Sequence, residues 1–106
     1  MKHLDLVIYP RAQADIDEEA AKLDDYQTGA GSRFLAEFAH IAERLVTFPH
    51  FGQLWDTTQP DRLSRVRRVL FPSFRSSVFY RSSETTITVL RVLHHARDVA
   101  PLLDDL

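Results

Sequence analysis

The chain has no cysteine among its 106 residues. Disulfide staples, thiolate chemistry and Cys-type zinc sites are therefore excluded. Glycine occurs three times and tryptophan once. No apolar run approaches the 18 or so residues that a membrane-spanning helix requires. The first residues, Met1-Lys2-His3-Leu4-Asp5, carry no long apolar stretch before a small-residue cleavage site, so no secretory signal is expected and the expected location is cytoplasmic. Apolar residues make up 44% and charged residues 26%, close to the averages for a globular domain, which excludes disorder as the overall state. The length suits a single domain over 1–106, because two would each be too small to bury an adequate core.

Lysine is missing where basic charge is densest. Residues 1–61 hold five Lys/Arg against eleven Asp/Glu. Residues 62–97 hold eight basic residues, all arginine, against the single acid Glu84, and the last nine residues add three aspartates. Arginine forks bind carboxylates and phosphates bidentately and stay charged when partly buried. The block either neutralises the chain's own acidic half or faces something acidic outside it. A pI near 6.2 is unlike that of a general nucleic-acid binder, where the domain value is usually above about 9.

Leu4–Tyr9 reads as a strand, stopped by Pro10, which suits the first turn of a following helix. Ala12, Ile16, Ala20 and Leu23 recur on one helical face over Pro10 to about Gln27. After the break at Thr28–Gly31, Phe34, Phe38, Ile41, Leu45 and Phe48 form the clearest helical stripe, over about Ser32–Phe48. Pro49 ends it by driving its predecessor out of the helical region. So short a connection makes an antiparallel helical hairpin, its mostly small-residue face packed on the large aromatic one. His50–Pro60 reads as a loop in which Trp55 covers the edge of the core. Three strands follow, Leu63–Phe71, Arg75–Arg81 and Thr85–His94. The first is expected to be bulged or a twisted edge, because Arg67 and Arg68 break its alternation. The last, rich in β-branched residues, is expected to be central. Ala96–Leu106 reads as a short C-terminal helix or tail. The fold class is α+β: an N-terminal strand and an antiparallel helical hairpin on an antiparallel sheet completed by a three-strand meander.

Five segments in this order resemble the RelE/ParE toxin superfamily of type II toxin–antitoxin systems, also called plasmid stabilisation proteins. They are YPRAQADIDE (9–18), Phe48-Pro49 with Gly52, the Arg67-Arg68 pair, Val78-Phe79-Tyr80-Arg81, and VLRVLHHARD (89–98). The last two make the chain more similar to the ParE branch than to the RelE branch. The resemblance implies a toxin that inhibits DNA gyrase by protein binding, needs no cofactor, and is neutralised by a cognate antitoxin. It would meet DNA only indirectly, through that antitoxin. The partner-binding candidates are Arg65, Arg67, Arg68, Arg75, Arg81 and Arg91, expected to hold an acidic, amphipathic antitoxin segment as an added strand or as a helix in a groove. A RelE-like, ribosome-dependent mRNA endonuclease is the alternative, and a degenerate, non-toxic antitoxin-binding member is a second.

Cleavage at a 2′-hydroxyl needs a base, an acid and cations for the phosphorane. Arg75, Tyr80, His94 and His95, with Arg68, are the residues that could supply them. Where RelE-type members carry an arginine three residues before the tyrosine of their Tyr-Arg pair, this chain has Ser77, and Arg75 lies about 7 Å further back along the strand. His94 and His95 are adjacent on a strand and point to opposite faces, so they are not a metal pair, and no metal is expected. His94 is expected to pack or hydrogen-bond at the sheet end. Asp24-Asp25 and Asp104-Asp105 read as solvated faces.

Overall fold

The computed structural model describes residues 3–55 and 65–95. Strand β1 (Asp5–Ile8) leads through Tyr9 into α1 (Pro10–Tyr26), and α2 (Ala30–Thr47) follows. Strands β2 (Gln53–Leu54), β3 (Arg67–Leu70), β4 (Ser76–Ser82) and β5 (Thr86–His94) complete the described elements. Pro10 opens α1 where its missing N–H is not needed. The helices are joined by Gln27–Gly29, and Gly29 takes the left-handed conformation, φ 90°, that a side chain would disfavour.

The hairpin closes tightly for a reason visible at Gly31. A Cβ there would run into the Ala20 carbonyl and the Asp24 carboxylate. Gly31 N–H also donates to Asp24 Oδ1 at 2.8 Å, so Asp24 is a helix-pairing residue rather than a merely solvated one. Ala12, Ile16 and Ala20 of α1 and Phe34, Phe38, Ile41 and Leu45 of α2 all enter the main core. Phe34 stacks on Phe71 with ring centroids 4.5 Å apart and meets Phe74 edge-on. Phe48 does not join the stripe. The helix ends at Thr47 and the backbone at Phe48 leaves helical geometry, which turns the ring outward, 52% exposed.

The described strands form one sheet in the order β1-β5-β4-β3-β2. The meander is antiparallel as expected, but β1 pairs parallel to β5, so the sheet is mixed. The helical hairpin is the crossover that lets β1 run alongside β5 in the same direction. Strand β5 lies inside the sheet, between β1 and β4. Strand β3 pairs regularly with β4 and is flanked by β2, so the bulge expected there is absent. The register shift falls on β4/β5 at Phe79/Tyr80 instead. Arg67 and Arg68 need no bulge, because alternation sends them to opposite faces.

The sheet buries apolar side chains on both faces. Val69, Val78, Tyr80, Ile87, Val89 and Val92 pack toward the helices. Val66, Phe79, Leu90 and Leu93 form a second cluster with Trp55, which meets Phe79 edge-on at 5.8 Å. The expected C-terminal helix or tail lies outside the described residues.

Candidate partner-binding site

The loop after α2 is held by two side chains from the sheet. Tyr80 is fully buried on β4. Its hydroxyl donates to the Pro49 carbonyl at 2.8 Å and accepts from Gly52 N–H at 2.9 Å. Opposite Tyr80 across the strand pair is Arg67, which donates from Nη1 to the Gly52 carbonyl at 2.6 Å. Gly52 is required by this close approach: a Cβ would sit 2.8 Å from the Tyr80 ring and 3.0 Å from the Arg68 carbonyl. The spacing of Pro49 and Gly52 is thus the two ends of one tyrosine latch. Burial pushes the Tyr80 phenol above its ordinary pKa of 10.0, although the Gly52 hydrogen bond and the Arg67 charge pull the other way.

That fixed loop presents two phenylalanines to solvent. Phe48 and Phe51 are 52% and 49% exposed. With Ile41 and Arg44 of α2 and Val69 and Leu70 of β3 they line an open groove of about 540 Å³. Arg44 lies over the Phe51 ring, 5.0 Å from its centroid, a cation–π contact that keeps the ring in place. The groove runs beside β3 where Val69 and Leu70 pair with β4 but, among the described residues, have no strand on their other side. An apolar trough next to an unpaired strand edge can take an amphipathic segment, either as a helix or as an added strand.

The arginines fall into two groups. Arg91 is 2% exposed. It forks onto Asp15 of α1, Nε to Oδ2 at 2.7 Å and Nη2 to Oδ1 at 2.9 Å, and Asp15 Oδ2 also accepts Val92 N–H at 3.0 Å. Strand β1 ends at Ile8, opposite Val89, so the Asp15 carboxylate takes over the β5 edge where β1 stops. Arg91 is therefore an internal residue, not a surface contact. Arg67 is likewise spent on the loop. Arg65 and Arg75 are exposed, and Arg68 and Arg81 are half-buried. None of these four side chains has a hydrogen bond or ion pair to any described residue.

The residues named for phosphodiester cleavage are not gathered. Tyr80 faces the helices with both of its hydrogen-bonding directions occupied by the loop. His95 Nε2 lies 2.9 Å from Ser77 Oγ, and Ser77 is one residue out of phase with Tyr80's neighbours Val78 and Ser76, so it belongs to the other face. His94 pairs with Ser76 at the end of β5, beside Asp15, Glu18 and Lys22 of α1. Arg75 precedes β4 and uses its carbonyl to accept His95 N–H. Among the described residues no group of three His, Cys, Asp or Glu could hold a metal ion.

The family model of the ParE toxin of the type II toxin–antitoxin system parDE matches residues 6–99. The chain belongs to the ParE toxin family. Solved structures agree on the fold. The chromosomal ParDE toxin–antitoxin system from P. aeruginosa superposes with a TM-score of 0.69 at 16% identity, covering 87% of this chain and 96% of that one. The RelBE2 toxin–antitoxin complex from Mycobacterium tuberculosis gives 0.62 at 20% identity, covering 92% and 97%. A search of curated proteins finds no match.

Within this ParE-type toxin, the residues that sequence reasoning missed are Asp15, Phe48 and Phe51. Asp15 is one of four acids, with Asp17, Glu18 and Glu19, in the N-terminal half of α1, and nothing in their spacing singles it out. Its one distinguishing signal was its place in the YPRAQADIDE segment. Phe48 read as core because it continued the α2 stripe by one step.

Proposed function

We propose that this ParE-type toxin acts by binding a protein target, DNA gyrase, and that a cognate antitoxin neutralises it by covering the groove between α2 and β3. The observation that carries a binding mode of action is the sealed state of Tyr80. A fully buried tyrosine whose proton is committed to the Pro49 carbonyl and whose oxygen already accepts Gly52 N–H is not placed to exchange a proton with an RNA hydroxyl. What faces outward instead is a fixed apolar groove and arginines without internal partners, the materials of a protein interface. Gyrase as the target rests on the family's ParE-branch segments. Both partners would be met in the cytoplasm, and DNA only through the antitoxin. Among the described residues no helix is long and apolar enough to cross a membrane.

In this reading the antitoxin lays an apolar stripe over Phe48, Phe51 and Leu70. Arg65 and Arg75 flank that region in sequence and answer its acidic side chains, so association slows as salt rises. Purified toxin is expected to block gyrase supercoiling of relaxed plasmid, to leave ribosome-bound mRNA uncut, and to be relieved by antitoxin. Codon-positioned cleavage in a reconstituted translation mixture, with supercoiling untouched, would overturn it in favour of the endonuclease.

A further inference from the structure

The face of the sheet turned away from the helices carries an arrangement that the groove does not use. Arg68 lies directly across the strand pair from Phe79. Phe79 packs in the cluster on that face, so Arg68 shares its side, and Arg81, two residues further along β4, does too. Such a diagonal pair has backbones about 7–8 Å apart. Two half-buried arginine side chains thus leave the same face from neighbouring positions, with no acceptor among the described residues. Neighbouring like charges without an internal acceptor favour an anion that both can reach. Arg67, on the opposite face, shows the contrast, because its fork is satisfied within the fold.

The surrounding charge sharpens the point. Residues 65–95 carry six arginines and one acid, Glu84, whereas residues 10–47 carry eight acids and four bases. The sequence asymmetry becomes, in three dimensions, an acidic helical layer behind a basic sheet. Aromatic stacking platforms for single-stranded bases are not offered by the described residues there. Phe79 is buried and Trp55 is half-buried against it.

We infer that Arg68 and Arg81 form a second docking face, separate from the antitoxin groove, for a protein segment bearing paired carboxylates, and that this is the face presented to the toxin's target. Bidentate Arg–carboxylate pairs fix register as well as attraction, and arginine is prominent among residues that dominate protein interfaces. The inference rests on the reading of the chain as a protein-binding toxin.

Its test uses the full-length toxin, an acidic Glu-Leu repeat peptide, and an oligothymidylate of equal formal charge. In an NMR titration the peptide is expected to move the Arg68 and Arg81 Nε–H resonances more than those of Arg65 and Arg75. It is expected to bind at least about tenfold tighter than the oligonucleotide. The double variant Arg68→Glu/Arg81→Glu is expected to lose peptide binding at least tenfold and to lose gyrase inhibition by a similar factor. It should keep its melting temperature and its antitoxin affinity within about threefold. Peptide shifts spread over other arginines, no peptide binding, or tighter binding of the oligonucleotide would each overturn the inference. So would a double variant that loses antitoxin affinity as steeply as target inhibition. Peptide binding that depends on the two arginines, in a wild-type toxin that leaves gyrase untouched, would keep this face and remove gyrase as the target.

Discussion

Replacing Asp15 by alanine tests the contact that ties the two ends of the fold together. The carboxylate accepts three hydrogen bonds, two from Arg91 and one from the Val92 backbone. The side chains of Arg91 and Asp15 are only 3% and 12% exposed, so screening by solvent and salt is weak. Removing one partner of such a pair strips a buried cation of its carboxylate fork, a change that costs about 3–5 kcal/mol. A domain of this size has roughly 5–15 kcal/mol in total, so the variant is expected to be near the edge of folding at 37 °C. In urea the slope for small proteins is about 1–3 kcal/mol per molar, which places the fall in midpoint at about 1 M or more. Arg91→Met in the Asp15→Ala background should recover part of the loss by removing the buried charge that has lost its carboxylate. The Val92 N–H still lacks its acceptor, so a deficit of about 1–3 kcal/mol is expected to persist. Equilibrium urea unfolding of the four proteins closes the double-mutant cycle. A loss below about 1 kcal/mol for Asp15→Ala, or additive effects of the two changes, would refute the claim that this pair closes the β5 edge.

Tyr80→Phe removes both hydrogen bonds of the latch and is expected to cost about 1–3 kcal/mol, because the Pro49 carbonyl and Gly52 N–H lose their partner. The Tyr80 phenol is raised in the folded state, so its contribution is complete below the unfolded value of 10.0 and declines as pH rises above it. The stability gap between wild type and Tyr80→Phe should therefore narrow in urea titrations above pH 10, and a widening gap would reverse the assigned cause. Gly52→Ala places a Cβ against the buried Tyr80 ring and the Arg68 carbonyl and should cost about 1–3 kcal/mol. An Ala variant as stable as wild type would mean that the loop yields easily. His94→Ala with His95→Ala is expected to leave toxicity intact in a folded, antitoxin-binding protein. A loss of about 100-fold, the scale of a missing general acid or base, would favour the endonuclease.

Much of this protein is written locally. The spacing of Ala12, Ile16 and Ala20, and of Phe34, Phe38, Ile41 and Leu45, places two helices and their buried faces, because helical periodicity depends only on neighbours along the chain. Pro10 marks a helix start, while the β-branched run at Thr85–Val92 marks a strand. Pro49 and Gly52 stand out in the sequence, but their purpose does not, since the tyrosine they enclose lies 28 residues beyond Gly52. Arginine-rich composition likewise announced an anion-seeking surface without saying which arginines belong to it. Only tertiary structure divides them: Arg67 and Arg68 are adjacent, yet the pleat sends one to the loop and the other to the face away from the helices. The same holds for Asp15, whose partner is 76 residues away. It holds too for β1, whose alternation is the same whether its neighbour runs parallel or antiparallel. Direction, pairing and charge partnership are long-range properties, set when the hairpin folds back over the sheet and brings distant segments within hydrogen-bonding reach.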